Sequence, residues 1–135
     1  MDFRSFLASA EAHGLLRRVG ATVDPAWEPG CLVKWLYQAL PEDQRFGLFF
    51  EHVAGSAHPL ATAVLGASTA SYALALGVAP GGINDHWERA LLDPRPVRVV
   101  TDAPCQAVVH TGADATLDRL PIPVWTPGRD VAPYL

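Results

Sequence analysis

The side chains in this sequence best able to hold a metal or attack a substrate are five histidines and two cysteines. His13, His52, His58, His86 and His110 fall in five different segments. No H-E-x-x-H or H-x-x-x-H spacing brings two of them onto one side of an element, so no metal site is expected. Cys31 and Cys105 belong to separate segments with no C-x-x-C between them, and both are expected to be reduced, largely buried thiols. Cys105 stands at a turn between Pro104 and Gln106, where a thiol can be exposed and reactive. No neighbouring His or Lys is there to lower its pKa, and packing is the better reading. The run Ala79-Pro80-Gly81-Gly82-Ile83-Asn84 precedes a helical pattern, so its amides could face an anion. It lacks the Lys-Ser/Thr of a P-loop and the G-x-G-x-x-G of a dinucleotide fold, and reads as a turn. Ser56, Ser68 and Ser71 sit where turns and caps want hydroxyls, and no G-x-S-x-G elbow surrounds them. Glu11, Asp85 and Glu88 fall at helix starts or on polar faces. By themselves these residues compose no active site.

The elements that would position them follow from periodicity. Asp2 caps a first helix with Phe3, Phe6, Leu7 and Ala10 on one side, and Gly14 ends it. Leu15–Val23 reads as a strand. Asp24-Pro25 opens a second helix over about 25–40, which would bury Trp27, Cys31, Trp35 and Leu32 and stop at Pro41. Phe46–Val53 is a strand, and the apolar run Leu60–Leu65 pairs with it as a hairpin or as a sheet neighbour. Ser68 or Thr69 caps a short helix to Leu76 that Gly77 stops. Ile83–Leu92 is amphipathic, with Ile83, Trp87 and Leu91 on one face. Val97–Thr101 and Gln106–His110 read as strands split by Ala103-Pro104. The fold class expected is α+β, a mixed sheet with flanking helices in a single small domain, followed by an extended Pro-rich C-terminal arm.

Composition agrees with a folded domain. Half of the 135 residues are hydrophobic and 18% are charged, which excludes wholesale disorder. The formal charge of −4, without a basic block, argues against a nucleic-acid partner. No apolar run reaches the roughly 18 residues that span a bilayer, so no membrane partner is expected. The start, MDFRSFLASAEAHG, is amphipathic and carries acid early, unlike a signal peptide. A cytoplasmic protein is expected.

The last residues are unusual in a different way. Pro121, Pro123, Pro127 and Pro133 alternate with Leu120, Ile122, Val124, Trp125 and Tyr134. The prolines forbid a helix and disfavour a central strand. The segment is nonetheless too apolar for a solvated linker, because leaving each large side chain wet forgoes roughly 1.5–3 kcal/mol. Leu120, Ile122, Trp125 and Tyr134 are therefore candidate docking residues. The surface they lie on is the body of this domain, another chain, or polypeptide outside these residues. Trp125, a large rigid aromatic, is the best anchor, and packing on its own domain suits it equally.

The same segment resembles the UbiD-like decarboxylases, in the stretch that precedes their cofactor-binding domain. The family pattern runs approximately D-A-P-C-Q-E-V-V, T-G-x-D, L-P-I-P, W-[HT]-P-G, P-Y-[IL]-T. Here it stands as DAPCQAVV (102–109), TGAD (111–114), LPIPVWTPG (120–128) and APYL (132–135). Upstream, DFRSFL (2–7), EAHGLLRRV (11–19), VDP (23–25), LFFEHVAGS (48–56) and ALALGV (73–78) follow in the family's order and spacing. The departures are Ala107 for a frequent Glu, His52 for a frequent Asn, and Val131-Ala132 where Gly is common. They bear on subfamily and substrate.

The resemblance implies a reversible, non-oxidative decarboxylase of unsaturated, aromatic or heteroaromatic carboxylic acids. Such enzymes use prenylated FMN, held with a divalent metal and potassium, and a Glu-Arg-Glu constellation. By the family pattern those positions lie beyond P-Y-[IL]-T, so no catalytic, cofactor-binding or metal residue is carried over to this chain. The implied organisation is a UbiD-like N-terminal α/β domain over residues 1–112, then an arm over 113–135 leading to a split-barrel cofactor domain missing from this chain. The chain alone is expected to be inactive and to bind no cofactor. Its implied partner is the missing cofactor-binding domain or subunit, and a homo-oligomer is compatible with the pattern. A short non-catalytic subunit that docks on a separate prenylated-FMN-binding subunit is the alternative, and a gene remnant a third reading.

Overall fold

The computed structural model describes residues 2–126 and 128–130. Helix α1 (Phe3–Ala12) starts where the Asp2 carboxylate accepts the Ser5 backbone N–H at 2.9 Å and the Ser5 hydroxyl at 2.8 Å. Gly14, in the left-handed region at φ 73°, ends it. Strand β1 (Leu16–Val23) follows, then α2 (Glu28–Ala39), β2 (Gly47–Val53) and β3 (Leu60–Thr62). Helix α3 (Thr69–Leu76) lies between a Ser68 cap and Gly77 at φ 68°. Helix α4 (Ile83–Leu92) comes next.

The three strands form one mixed sheet in the order β1-β2-β3. β1 and β2 pair in parallel from Leu16–Gly47 to Val23–Val53, with α2 as the crossover, and one extra residue in β1 between Val19 and Thr22 makes a bulge. β2 and β3 form an antiparallel pair, so the hairpin reading of 46–65 holds. The two-residue period of β2 divides the core. Leu48, Phe50 and Val53 pack with Val23, Leu60 and the α2 residues Val33, Leu36, Tyr37 and Leu40. Phe49 turns the other way, toward Phe6, Leu7 and Ala10 of α1 and Leu74 and Ala75 of α3. The α+β class is thus realised as a sheet with helices on both faces. Outside the core, the Trp87 indole N–H donates to the Tyr72 hydroxyl at 3.0 Å and ties α4 to α3. No helix among the described residues is long and apolar enough to cross a membrane.

Five readings are corrected or qualified. α2 begins at Glu28, not at Pro25, because Pro29 has no N–H with which to close a turn on Pro25. Its buried side carries Pro29, Gly30 and Leu36, which leaves Trp27 49%, Trp35 56% and Leu32 38% exposed. Cys31 and Cys105 are both exposed, Cys31 on that outer face and Cys105 in a 3₁₀ turn. Helix α4 buries no residue, so its apolar face is uncovered. Finally, 97–101 and 106–110 are not strands: Val97, Val99, Val108 and Val109 lie in exposed coil or bends. A strand needs a ladder partner, and these segments have none among the described residues.

Leu36 and Phe50 are fully buried where α2 meets the sheet, so Leu36→Ala is expected to cost about 2–5 kcal/mol in urea unfolding. The Glu42 carboxylate accepts the Thr69 N–H at the start of α3, and that bond lowers its pKa below the ordinary 4.5. Its stabilising contribution is complete above pH 4.5 and is lost as pH falls through the lowered value. Glu42→Gln should therefore melt below wild type at pH 7, and the gap should narrow as pH falls below 4.5, as read by thermal circular dichroism.

Candidate docking interface

Pro25 and Pro29 are four residues apart, the spacing of one helical hydrogen bond. In a helix running through both, the N–H of residue 29 would take the Pro25 carbonyl. Proline has no N–H, so that acceptor is vacant. The arm fills it, with the Val124 backbone N–H donating to the Pro25 carbonyl at 2.9 Å. Gly30, one residue further on, makes the approach sterically feasible. A Cβ there would meet the Trp125 carbonyl oxygen at 2.8 Å and the Trp125 Cα and Val124 oxygen at 3.1 Å. Any other residue at position 30 would push the arm off its seat. Pro29 and Pro123 are both fully buried.

Turns brace the arm on either side of this contact. The Ile122 N–H donates to the Leu120 carbonyl at 2.8 Å, and the Ser56 hydroxyl reaches the Arg119 carbonyl at 3.4 Å. Beyond the seat, one Asp130 carboxylate oxygen accepts the N–H groups of Trp125 at 2.7 Å and Thr126 at 2.8 Å. Arg129 and Asp130 N–H groups return to the Thr126 carbonyl, each at 3.0 Å, around Gly128 at φ 77°. A charged acceptor on two backbone donors is the strongest polar contact in the arm.

Of the candidate docking residues, Ile122 and Trp125 are half-buried and Leu120 is 43% exposed, while Tyr134 lies outside the described residues. Burial to that degree is worth on the order of 1 kcal/mol per side chain. Sequence reasoning left the seat for 121–125 open among three surfaces; in this structure it is the domain's own α2 start. It read Pro25 as a helix opening, Pro29 and Gly30 as residues that disturb the first turns of that helix, and Pro123 as one of the arm's prolines. It gave none of them, nor Asp130, a part in docking, although a proline four residues after a proline announces an orphaned carbonyl. Trp27, Cys31, Leu32 and Trp35 line the outer side of the same helix, uncovered.

Among the described residues no three His, Cys, Asp or Glu side chains converge on a point where a metal could sit. The grooves are open. One of about 530 Å³ is lined by His86, Arg89, Ala90, Asp93 and Arg95, and one of about 400 Å³ runs between Phe3, Leu7, Phe49 and Ala61. Neither offers an enclosed polar cradle for a flavin, so these residues do not fit a flavin and no chemical step is assigned to them.

Gly30→Ala separates the arm from the body of the domain. Alanine favours helix by roughly 0.5–1 kcal/mol, which offsets only part of the burial and hydrogen bond lost with the arm, so the melting temperature should fall modestly. The arm should be displaced, making trypsin cleavage after Arg119 and Arg129 several-fold faster than in wild type.

Residues 7–91 match the family model described as the 3-octaprenyl-4-hydroxybenzoate carboxy-lyase N-terminal domain. Among solved structures, the UbiD-class enzyme HmfF from Pelotomaculum thermopropionicum, solved in complex with FMN, superposes with a TM-score of 0.74 at 30% identity. That match covers 90% of this chain and 26% of HmfF. An evolved dimeric form of HmfF, solved with prFMN, gives the same TM-score and identity over 90% of this chain and 27% of its own. The vanillic acid decarboxylase of Sedimentibacter hydroxybenzoicus, in open form, matches 66% of this chain and 19% of its own with a TM-score of 0.54, and at 24% identity it shows the fold alone. The chain thus spans about a quarter of the length of the HmfF structures it matches. With more than half of its residues inside the family model, and with its fold superposing on the HmfF structures, this chain belongs to the UbiD family and carries that family's N-terminal domain.

Proposed function

We propose that this polypeptide is the N-terminal part of a UbiD-like reversible, non-oxidative decarboxylase acting on unsaturated, aromatic or heteroaromatic carboxylic acids. In this reading residues 1–112 form the non-catalytic domain and 113–135 the arm that leads to a prenylated-FMN-binding domain. The chemistry belongs to that domain, which holds prenylated FMN with a divalent metal and potassium; residues 1–135 alone are inactive and cytoplasmic. The observation that carries the reading is the seat of the arm. Val124 on the Pro25 carbonyl and Trp125 over Gly30 fix the direction in which the polypeptide leaves the domain, in a chain already placed in the family. A fixed exit is what a domain needs to hold a second one against a shared substrate entrance.

A second reading is favoured by the same compactness. A short subunit that docks on a separately encoded cofactor subunit also requires an arm already ordered before binding, because preorganisation lowers the entropic cost of association.

Both readings meet in one experiment. Residues 1–135 are produced alone and together with a family cofactor domain, in cells making prenylated flavin, and the purified material is assayed for flavin absorbance and CO2 release. The expected result is a colourless, inactive chain alone, and a yellow co-purifying complex that decarboxylates an aromatic or acrylic acid. Stoichiometric flavin on the isolated chain would overturn the assignment of chemistry to the other domain.

A further inference from the structure

Helix α2 carries a second apolar stripe, and the described residues leave it about half open. Trp27 and Trp35 are 49% and 56% exposed, and Cys31 between them is exposed as well. Spaced by four, the three line one side of the helix, away from Leu36, which is buried against the sheet. The arm does not cover them. It crosses at Gly30, which stands about 100° around the helix from Cys31.

Outward from Cys31 the helix is alike in both directions. Trp27 and Trp35 stand four residues away, and Glu28 and Lys34, of opposite charge, stand three residues away. Lys34 is exposed and has no ion pair among the described residues. The Glu28 carboxylate accepts the Asp24 N–H, which fixes its side chain at the level of the first turn. A face with this symmetry is complementary to itself when turned end for end.

We propose that the outer face of α2 is an interface between two copies of this chain, with two α2 helices packed antiparallel across a two-fold axis at Cys31. Each Trp27 then lies level with the partner's Trp35, and each Glu28 level with the partner's Lys34. A parallel pair would set Glu28 against Glu28 and Lys34 against Lys34, which like charges oppose. Helices about 8–10 Å apart bring facing positions at the axis within disulfide range, so Cys31 meets the partner's Cys31. A foreign partner would need no repeat of aromatic and charge about one point; a second copy does.

Area sets the strength. With roughly 250 Å² on each tryptophan side chain, the two exposed halves offer about 250 Å² per copy, and flanking side chains bring the contact to the order of 400–500 Å². A standard interface takes about 800 Å² from each partner, so association is weak and reversible.

The test is sedimentation of residues 1–135 between about 10 μM and 1 mM under reducing conditions, where a monomer–dimer equilibrium is expected. Trp35→Ala should raise its dissociation constant at least fivefold with circular dichroism unchanged, because Trp35 lies outside the core. Lys34→Glu should weaken it several-fold at low salt and less at high salt. Diamide takes up the two electrons and two protons that a pair of thiols gives up, and should join Cys31 to the partner's Cys31. Cys105→Ser should keep that cross-link and Cys31→Ser should abolish it, although both cysteines are exposed. A chain that stays monomeric throughout, a dimer indifferent to Trp35→Ala, or cross-links shared evenly between Cys31 and Cys105 overturns the interface. A monomer whose tryptophan emission shifts to the blue only when a family cofactor domain is added gives the face to that domain and overturns the second copy.

Discussion

A single vacant carbonyl organises the exit of this domain. Pro29 cannot donate, so Pro25 keeps an acceptor that an ordinary helix start would have consumed, and the Val124 N–H takes it at 2.9 Å. An unpaired backbone oxygen at a part-buried helix start costs about as much as a lost hydrogen bond, and the arm removes that cost. Gly30 is the steric half of the same arrangement, since the chain crosses at a distance that leaves no room for a Cβ. Two prolines and a glycine, all poor helix formers, stand within one helical turn and a half. Pro25 lies just before α2 and lends its carbonyl, Pro29 in the first turn leaves that carbonyl free, and Gly30 leaves room for the arm.

Helix α2 can tolerate this because its other obligations lie further along. Val33, Leu36, Tyr37 and Leu40 hold it to the sheet, one to three turns beyond the arm seat. Arg45 reinforces the C-terminal end by donating to the Tyr37 and Leu40 carbonyls, each at 3.0 Å, so the orphaned acceptors there are also satisfied. The helix is consequently divided in function along its length, with the first turn facing the arm and the remainder facing the core. The parallel pairing of β1 and β2 depends on that second part, because a parallel pair has no turn of its own and needs the crossover packed.

Much of this was legible in the sequence, for local reasons. Asp2, Ser68, Gly14 and Gly77 mark helix ends through their own side-chain or backbone chemistry, and α1 and α3 begin and end close to where those residues say. What failed was decided by neighbours. The buried side of α2 was misread because its three apolar residues at helical spacing, Trp27, Cys31 and Trp35, form a stripe as regular as the buried one. Periodicity identifies an amphipathic helix, but two apolar stripes on one helix leave the choice to packing. The valines of 97–109 were read as strands on sound propensity, and they lack only the partner that a strand cannot supply for itself. The family itself was legible from motifs spread through the chain, whereas the arm's seat was not, since the Pro25–Pro29 spacing marks a vacant acceptor but nothing in that segment names Val124 as its donor.

The seat also has an order in time. The sheet is complete once Thr62 is made, and α3 and α4 follow, so the body of the domain can fold while the Pro25 carbonyl still faces water. The residue that fills it stands almost a hundred positions downstream. Because closure entropy rises only with the logarithm of loop length, the distance hardly weakens the bond, but it does fix when the bond can form. On a ribosome the seat stays empty until synthesis has passed Asp130, whose carboxylate holds the turn behind Trp125. Val124 on Pro25 is thus a late event in the life of the chain, and it closes residues 93–120 into a loop only after every one of them has been translated.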